Sequence, residues 1–270
     1  MPPSPLGPYE IEAFNTAKNS ENRIHDDAVA RRFGFHGGLV PGVEVYAYMT
    51  HLPVRHWGRA WLERGIAECR LLKPVYDRDR VSVTADQREG GLELRLEARG
   101  ELCATCRAEL PPAANAPPAA FASAPQPSPP PTVRPPADQG TLPVGRWLAI
   151  HPFRVSREEA AQYRRDIRES FPLYAEQGLV HPGTLLHIGN WALRQNVVLG
   201  PWMHVGSRIE HFAVARIGDE LSARALITGN WEHKGHAFVS LDVLVYANSA
   251  SPVARIAHTA IYRPRQLAAA

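Results

Sequence analysis

A polar loop near the start of the chain brings several side chains that can exchange protons or form hydrogen bonds close to one histidine. His25 follows Ser20, Glu21 and Asn22, which supply a hydroxyl, a carboxylate and an amide within five residues of its imidazole. An imidazole titrates near neutral pH, so it can accept or donate a proton under ordinary conditions. The loop is therefore a candidate for acid–base chemistry, and the alternative is a histidine that is simply solvated.

An apolar helix is predicted directly after this loop. The segment Gly38-Leu-Val-Pro-Gly42 precedes residues that are apolar on nearly every side of a helix, which is typical of a helix enclosed by other elements. Pro41 suits the first turn because its missing N–H would have no partner there. The N–H groups of Gly42 and Val43 would then point outward at the positive end of the helix dipole. Such a position can bind an anion or a polarised carbonyl oxygen, or it can be capped by water.

Both halves of the chain show the same order of predicted elements. Gly178-Leu-Val-His-Pro-Gly183 begins a second apolar helix about 141 residues after the first. In each half we predict one extended strand, a long buried helix and four antiparallel strands joined by hairpins. The predicted strands cover residues 66–76, 80–86, 92–99 and 101–110 in the first half, and 203–214, 220–227, 236–246 and 253–262 in the second.

A proline-rich segment separates the two halves. Residues 111–140 contain 11 of the 25 prolines and almost no large apolar side chain, so the segment is predicted to be an extended linker that cannot order itself by burial. It divides the chain into predicted domains at residues 1–110 and 141–270.

The composition excludes several classes of protein. Hydrophobic residues make up 44% and charged residues 21%, which indicates a folded globular chain and excludes a disordered one or a coiled coil. A net charge of +3 without a run of basic residues argues against nucleic acid as a partner. The first residues do not resemble a leader and no stretch of 18 apolar residues occurs, so we expect a cytoplasmic protein without a membrane span. Three cysteines, an odd number, fit a reducing compartment.

The loop and the helix start together carry a family resemblance. Asn22-Arg-Ile-His25-Asp, followed by Gly34-Phe35 and Gly38-Leu-Val-Pro-Gly42, resembles the hydratase signature of MaoC-like proteins, a hot dog fold group that contains the (R)-specific enoyl-CoA hydratases. The resemblance covers the first half, and the repeated order of elements extends it to a double hot dog over nearly the whole chain. It implies an α+β fold in which two curved antiparallel sheets each wrap around a central helix.

The resemblance also implies roles for individual residues. In hydratases of this family an aspartate and a histidine activate water, an asparagine stands between them, and a glycine at the helix start offers its N–H to the thioester carbonyl. His25, Asn22 and Gly42 match the last three of these, whereas Ser20 stands five residues before His25, in the position of the aspartate. A serine is not a carboxylate base, and Glu21 would replace it only if its side chain turned into the pocket. Pro41 also departs from the family, which commonly has histidine there.

The implied activity is that of a lyase, a hydratase or dehydratase acting on an enoyl or 3-hydroxyacyl thioester, with coenzyme A as the expected carrier. It requires no metal and no cofactor. The expected catalytic residues are His25, Asn22, Glu21, Ser20 and Gly42, and the expected substrate-binding residues are Gly38, Val40, Val43, Tyr46 and His181. The second half is expected to shape the ligand tunnel. Two fused hot dogs can pair their sheets within one chain, and a homodimer through a sheet edge is a further expectation.

Two alternatives remain open from the sequence. Glu44, near the start of the first central helix, is the candidate carboxylate of a hot dog thioesterase, which would also activate water but would cleave the thioester. The serine at position 20 is also consistent with a non-catalytic protein that binds an acyl ligand.

Overall fold

The fold is described from a computed structural model that covers residues 6–113, 115–122 and 126–268. Within these ranges eleven strands form a single antiparallel sheet. The strands are β1 (Leu6–Glu12), β2 (Ile66–Leu71), β3 (Arg80–Arg88), β4 (Gly91–Ala98), β5 (Glu101–Glu109), β6 (Trp147–Ala149), β7 (Phe153–Arg154), β8 (Met203–His211), β9 (Glu220–His233), β10 (His236–Ala247) and β11 (Ser251–Arg263).

Eight α-helices lie in the same described ranges, and one 3-10 turn (Arg23–His25) precedes the first of them. The helices are α1 (Asp27–Arg32), α2 (Gly42–Trp57), α3 (Arg59–Arg64), α4 (Ala119–Ala122), α5 (Arg157–Asp166), α6 (Leu173–Gln177), α7 (Pro182–Arg194) and α8 (Arg265–Ala268).

The sheet runs without interruption from one half of the chain to the other. Its spatial order is β1-β3-β4-β5-β2-β8-β11-β10-β9-β6, and β7 pairs with β9. The halves meet where β2 pairs with β8, from Ile66 opposite Glu210 to Arg70 opposite Gly206. The two predicted sheets are therefore the two halves of one sheet. The first half keeps the predicted order of a strand, a long helix and four strands. In the second half two short strands, β6 and β7, and helices α5 and α6 precede α7, and the four predicted strands follow.

Each half of the sheet packs against one buried helix. Helix α2 is buried from Val43 to Val54, and in the second half α7 buries eight residues that include Leu186 and Ile188. Complete burial of an aliphatic or aromatic side chain stabilises a fold by about 1.5–3 kcal/mol, so these two helices anchor the core. Helices α2 and α7 also contact each other, with Glu44 beside His187 and Ala47 beside Gly183.

Some strand ends differ from the prediction. Strand β2 stops at Leu71, because the N–H groups of Leu72 and Lys73 both donate to the carbonyl of Cys103 and the regular ladder ends. Strand β9 continues to His233, because the turn of its hairpin lies at Lys234 and Gly235, which both have positive φ.

The described part of the proline-rich segment packs on the second half and is not a free spacer. Phe121 is buried, with its ring 5.4 Å from that of Trp147. The N–H of Val198 donates to Pro135 O at 2.8 Å, and the N–H of Ala137 donates to Val198 O at 2.9 Å. The average composition of the segment does not predict these few contacts. The division into domains at residues 110 and 141 stays a prediction.

Candidate active site

The polar loop is held in place by the caps of two short helical turns. The side chain of Asn22 caps the 3-10 turn, and Asp26 Oδ1 accepts the N–H groups of Ala28 and Val29 at 3.0 Å each, which caps α1. His25 lies between these caps, and Asn15 Nδ2 donates to its main-chain oxygen at 2.9 Å. The backbone of His25 is therefore fixed on both sides.

The ring of His25 is a neutral imidazole with a defined tautomer. Its Nδ1 lies 2.7 Å from the carbonyl oxygen of Leu39, which can only accept, so Nδ1 carries the proton. Burial lowers the pKa of His25, and the Leu39 carbonyl opposes that shift without reversing it. The lone pair of Nε2 is then available at neutral pH, and Asn22 Nδ2 donates to it at 3.2 Å. This arrangement can act as a general base.

The Asn22 side chain also binds across the junction of the two halves. Its Nδ2 donates to Trp202 O at 3.0 Å, and its Oδ1 accepts the N–H of Trp202 at 3.2 Å. Asn22 thus positions the loop against the segment that leads into β8.

Ser20 and Glu21 do not take the place of the expected aspartate. Ser20 Oγ donates to the main-chain oxygen of Asn22 at 3.3 Å. The Glu21 carboxylate accepts from the Arg134 guanidinium at 2.8 and 3.1 Å, and this pairing lowers the pKa of Glu21. Neither side chain hydrogen-bonds to His25, so the expected chain through Glu21 or Ser20 is not formed. Arg134 lies in the proline-rich segment, where no local pattern predicted a partner for Glu21.

The start of α2 forms one wall of a cavity of about 200 Å³, which His25, Val40 and Gly42 line together. The carbonyl of Pro41 accepts the N–H groups of Glu44 and Val45. The N–H groups of Gly42 and Val43 have no acceptor in the described ranges. A Cβ on Gly42 would lie 2.2 Å from Leu71 Cδ1 and 2.9 Å from His204 Nδ1, so a larger residue here would require these side chains to move. His25 and the helix start therefore face a common space.

Four of the five expected substrate-binding residues lie elsewhere. Val40 lines the cavity of about 200 Å³, and the other four line neither this cavity nor the larger one described below. The N–H of Gly38 donates to Asp27 Oδ1 at 2.8 Å, and Val43 and Tyr46 are fully buried in the core around α2. Val43 and Tyr46 therefore lie in the core, whereas Val45 of the same helix lines the cavity of about 200 Å³.

His181 is the fourth expected substrate-binding residue that lies elsewhere. It is buried, and its Nδ1 accepts the N–H of Gly183 at 3.0 Å, which caps α7. His181 is not among the residues that line either cavity.

A larger cavity of about 550 Å³ adjoins the smaller one. Its other walls come largely from the second half, including His187 and Arg194 of α7 and Tyr163 of α5. The residues that line both cavities are Asn22, His25, Pro41, Asn190 and Trp202. His25 is therefore located where the two cavities meet.

Glu44 lies behind the wall of the larger cavity and is fully buried. Its carboxylate accepts from Thr16 Oγ1 at 2.8 Å, Tyr163 OH at 2.6 Å and His187 Nε2 at 2.9 Å. Burial alone would raise the pKa of Glu44, but His187 and the two hydroxyl donors lower it overall. The sequence identified Glu44 as a candidate carboxylate but gave no sign of its pairing with His187.

Other classes of site find no support in the described ranges. No group of three or more histidine, cysteine, aspartate or glutamate side chains there could hold a metal ion. Cys69, Cys103 and Cys106 are all buried and unpaired. No helix in residues 6–113, 115–122 or 126–268 is both long and apolar enough to cross a membrane.

No protein-family model matches the sequence, and no curated protein matches it. The structure is similar to a conserved hypothetical protein of Mycobacterium tuberculosis with a double hot dog fold, at 16% identity and a TM-score of 0.64, covering 94% of this chain and 96% of that one. A protein of Chloroflexus aurantiacus described as a MaoC domain dehydratase gives 12% identity, a TM-score of 0.61 and coverage of 97% and 94%. A MaoC-like dehydratase is similar at 13% identity and a TM-score of 0.56, covering 95% of this chain and 97% of that one.

Proteins described as thioesterases are also among the structural matches. At these identities the likeness concerns the fold, and the chain has the double hot dog fold.

Proposed function

We propose that this chain is a MaoC-like hydratase or dehydratase that adds water to an enoyl thioester or removes it from a 3-hydroxyacyl thioester. The observation that carries the proposal is that His25 and Gly42 line one cavity, while the Nε2 lone pair of the ring can accept a proton and the N–H of Gly42 has no acceptor in the described ranges. The likeness of the fold to a MaoC domain dehydratase supports it.

In the hydration direction, a water molecule enters between Asn22 and His25 and replaces their direct 3.2 Å contact. The amide N–H of Asn22 donates to the water oxygen, and the water donates one hydrogen to His25 Nε2. As that proton passes to Nε2, the water oxygen bonds to the β-carbon and the electron pair moves through the α-carbon to the thioester oxygen. Protonation of the α-carbon then completes the addition, and dehydration follows the same steps in reverse.

The N–H of Gly42 stabilises the negative charge that develops on the thioester oxygen. It is unpaired in the described chain and lies at the positive end of α2. A donor fixed in advance at the position of an oxyanion contributes about 10²- to 10³-fold to the rate. The close packing around Gly42 holds this donor in place.

The shape of the cavities supports an extended small-molecule substrate. Arg194 lines the larger cavity, and its guanidinium stacks over Trp191 at 6.0 Å and has no hydrogen-bond partner in the described ranges. Guanidinium groups bind phosphate well, so the proposed carrier is coenzyme A. A cytoplasmic location and a homodimer through a free sheet edge remain parts of the proposal.

Thioester hydrolysis is the second candidate, and the position of Glu44 argues against it. A carboxylate that attacks a carbonyl or activates water must reach the substrate, whereas Glu44 is fully buried and has a donor on both oxygens. A non-catalytic acyl-binding protein is the third candidate, because Ser20 and Glu21 provide no base for His25.

One assay separates the three. The purified protein is incubated with short, medium and long enoyl-CoA thioesters, and the loss of enoyl absorbance and the release of free thiol are followed in parallel. Loss of enoyl absorbance without thiol release supports the proposal. Thiol release indicates a thioesterase, and saturable binding without either change indicates a binding protein.

A further inference from the structure

A buried carboxylate joins the two halves of the chain behind the larger cavity. Glu44 belongs to the first half, and two of its three donors, Tyr163 and His187, belong to the second. A buried charge is costly unless it is fully hydrogen-bonded, and here each carboxylate oxygen has at least one donor within 2.9 Å. The carboxylate is therefore stabilised in its ionised form, in agreement with the lowered pKa of Glu44.

This carboxylate fixes the tautomer of His187. An ionised carboxylate can only accept, so the proton of His187 lies on Nε2, which is 2.9 Å from Glu44 Oε1. The other ring nitrogen, Nδ1, has no hydrogen-bond partner in the described ranges. The ring packs between Tyr163 and Trp191, with centroid distances of 5.8 and 6.0 Å, which restricts its orientation.

His187 is open to the cavity that also contains His25. Its side chain is 22% exposed, whereas that of Glu44 is fully buried, so the imidazole separates the carboxylate from the ligand space. The cavity thus has one imidazole from each half of the chain. The two imidazoles differ in their hydrogen-bond acceptor. Nδ1 of His25 contacts the carbonyl of Leu39, whereas Nε2 of His187 contacts the carboxylate of Glu44.

From this geometry we infer that His187, oriented by Glu44, is a second proton-transfer residue and replaces the carboxylate that is missing at Ser20. The inference rests on the proposed hydratase function. His25 Nε2 takes the proton of the water whose oxygen bonds to the β-carbon. His187 acts in its imidazolium form, which keeps the Nε2 proton in its hydrogen bond to Glu44 and gives the Nδ1 proton to the α-carbon. His25 then loses its proton to solvent in the open cavity and His187 regains one, so the enzyme returns to its starting state. A carboxylate behind an imidazole holds the tautomer and stabilises the imidazolium.

Glu44 and Tyr163 are positioning residues in this account, because Glu44 is buried behind the cavity wall and the hydroxyl of Tyr163, which lines the cavity, donates to Glu44. A purely structural network would also join α2 to α7, so the test must separate proton transfer from support. The substitution His187→Gln retains an N–H donor that can reach Glu44 but removes the titratable nitrogen. Tyr163→Phe removes one donor from Glu44 and leaves His187 unchanged.

The experiment compares kcat and KM of the wild type with those of His187→Gln, His187→Ala, Tyr163→Phe and the exposed control His151→Ala, on an enoyl thioester that the wild type hydrates. We expect kcat to fall by about 10²- to 10⁴-fold in His187→Gln with KM within about threefold, and to fall by less than about tenfold in Tyr163→Phe. Added imidazole should partly restore kcat in His187→Ala. His151→Ala should match the wild type.

Thermal unfolding of each variant shows whether it folds, and if His187→Ala does not, His187→Gln alone decides. If His187→Gln keeps the kcat of the wild type, or loses no more than Tyr163→Phe, the assignment of His187 is wrong and the proposed function stands. If the wild type hydrates no enoyl thioester, the proposed function is wrong and the role of His187 falls with it.

Discussion

Asn22 binds Trp202 through both ends of its side-chain amide, with Nδ2 donating to the Trp202 carbonyl at 3.0 Å and Oδ1 accepting the Trp202 N–H at 3.2 Å. The two residues lie 180 positions apart, so this pair fixes the loop of the first half against the second half. Because Asn22 also contacts the ring of His25, the orientation of the candidate base depends on both halves.

The first prediction concerns this pair. Asn22→Ala removes the bonds to Trp202 and leaves the N–H of Trp202 without its acceptor, so the free energy of unfolding should fall by about 1–3 kcal/mol. Denaturant unfolding measures the change. Ser20→Ala is the matched control in the same loop, because Ser20 Oγ makes a single bond of 3.3 Å. A stability of Asn22→Ala equal to that of Ser20→Ala would contradict the bridging role.

The second prediction concerns Gly42. A methyl group there would clash with Leu71 and His204, so Gly42→Ala should shift the helix start and cost about 1–3 kcal/mol of stability as well as hydration activity. Because the end of the Leu71 side chain is the nearest obstacle, the double variant Gly42→Ala with Leu71→Ala should recover part of the stability. Chemical denaturation of both variants and of Leu71→Ala alone tests this. No recovery in the double variant would show that the clash with Leu71 is not the cause.

The third prediction is that Glu21 is not the base. Its carboxylate is bound to Arg134 and its pKa is lowered, so Glu21→Gln should reduce kcat/KM by less than about threefold. Arg134→Ala, which removes the other partner of the same ion pair, should behave similarly. Steady-state kinetics measure both. A loss in Glu21→Gln of about 10²-fold or more would restore Glu21 as the missing carboxylate.

The fourth prediction concerns stability in acid. Burial lowers the pKa of His204 and of His211 to about 4, below the unfolded value of about 6.5. The unfolded chain therefore binds protons that the folded chain does not, so stability is fully present above about pH 6.5 and is lost as the pH falls towards 4. The free energy of unfolding changes by at most about 1.4 kcal/mol per pH unit for each histidine.

The variant His211→Leu isolates one of these two contributions. Neither ring nitrogen of His211 has a hydrogen-bond partner in the described chain, so leucine removes no bond there. Unfolding measured across this pH range should give a shallower slope for the variant. An unchanged slope would mean that His211 does not remain neutral in the folded chain.

The sequence predicted the parts of the fold that local pattern determines. The apolar run after Gly42 predicted α2, and the alternation between Arg80 and Leu110 predicted three successive strands, because helix and strand periods are properties of neighbouring residues. The tautomer of His25 depends on a contact within the same half of the chain, with the carbonyl of Leu39, 14 positions along the sequence.

The contacts that decide the chemistry of the site join distant positions and have no local pattern. Arg134 binds Glu21 across 113 positions, and His187 binds Glu44 across 143. The sequence showed these residue types but not their pairing, so Glu21 remained a candidate base and no partner was predicted for Glu44. The expectation of a free linker at the proline-rich segment was wrong for the same reason, because composition does not predict the contact made by Arg134.

The most direct test of the account is the steady-state hydration of one enoyl thioester by the wild type and by His25→Ala. The exposed His36→Ala in the next turn of the chain serves as the control. Because His25 Nε2 is the proposed acceptor of the proton from water, kcat/KM should fall by about 10²- to 10⁴-fold in His25→Ala and remain unchanged in His36→Ala. Turnover by a folded His25→Ala protein at the rate of the wild type would contradict the role of His25 and with it the proposed mechanism.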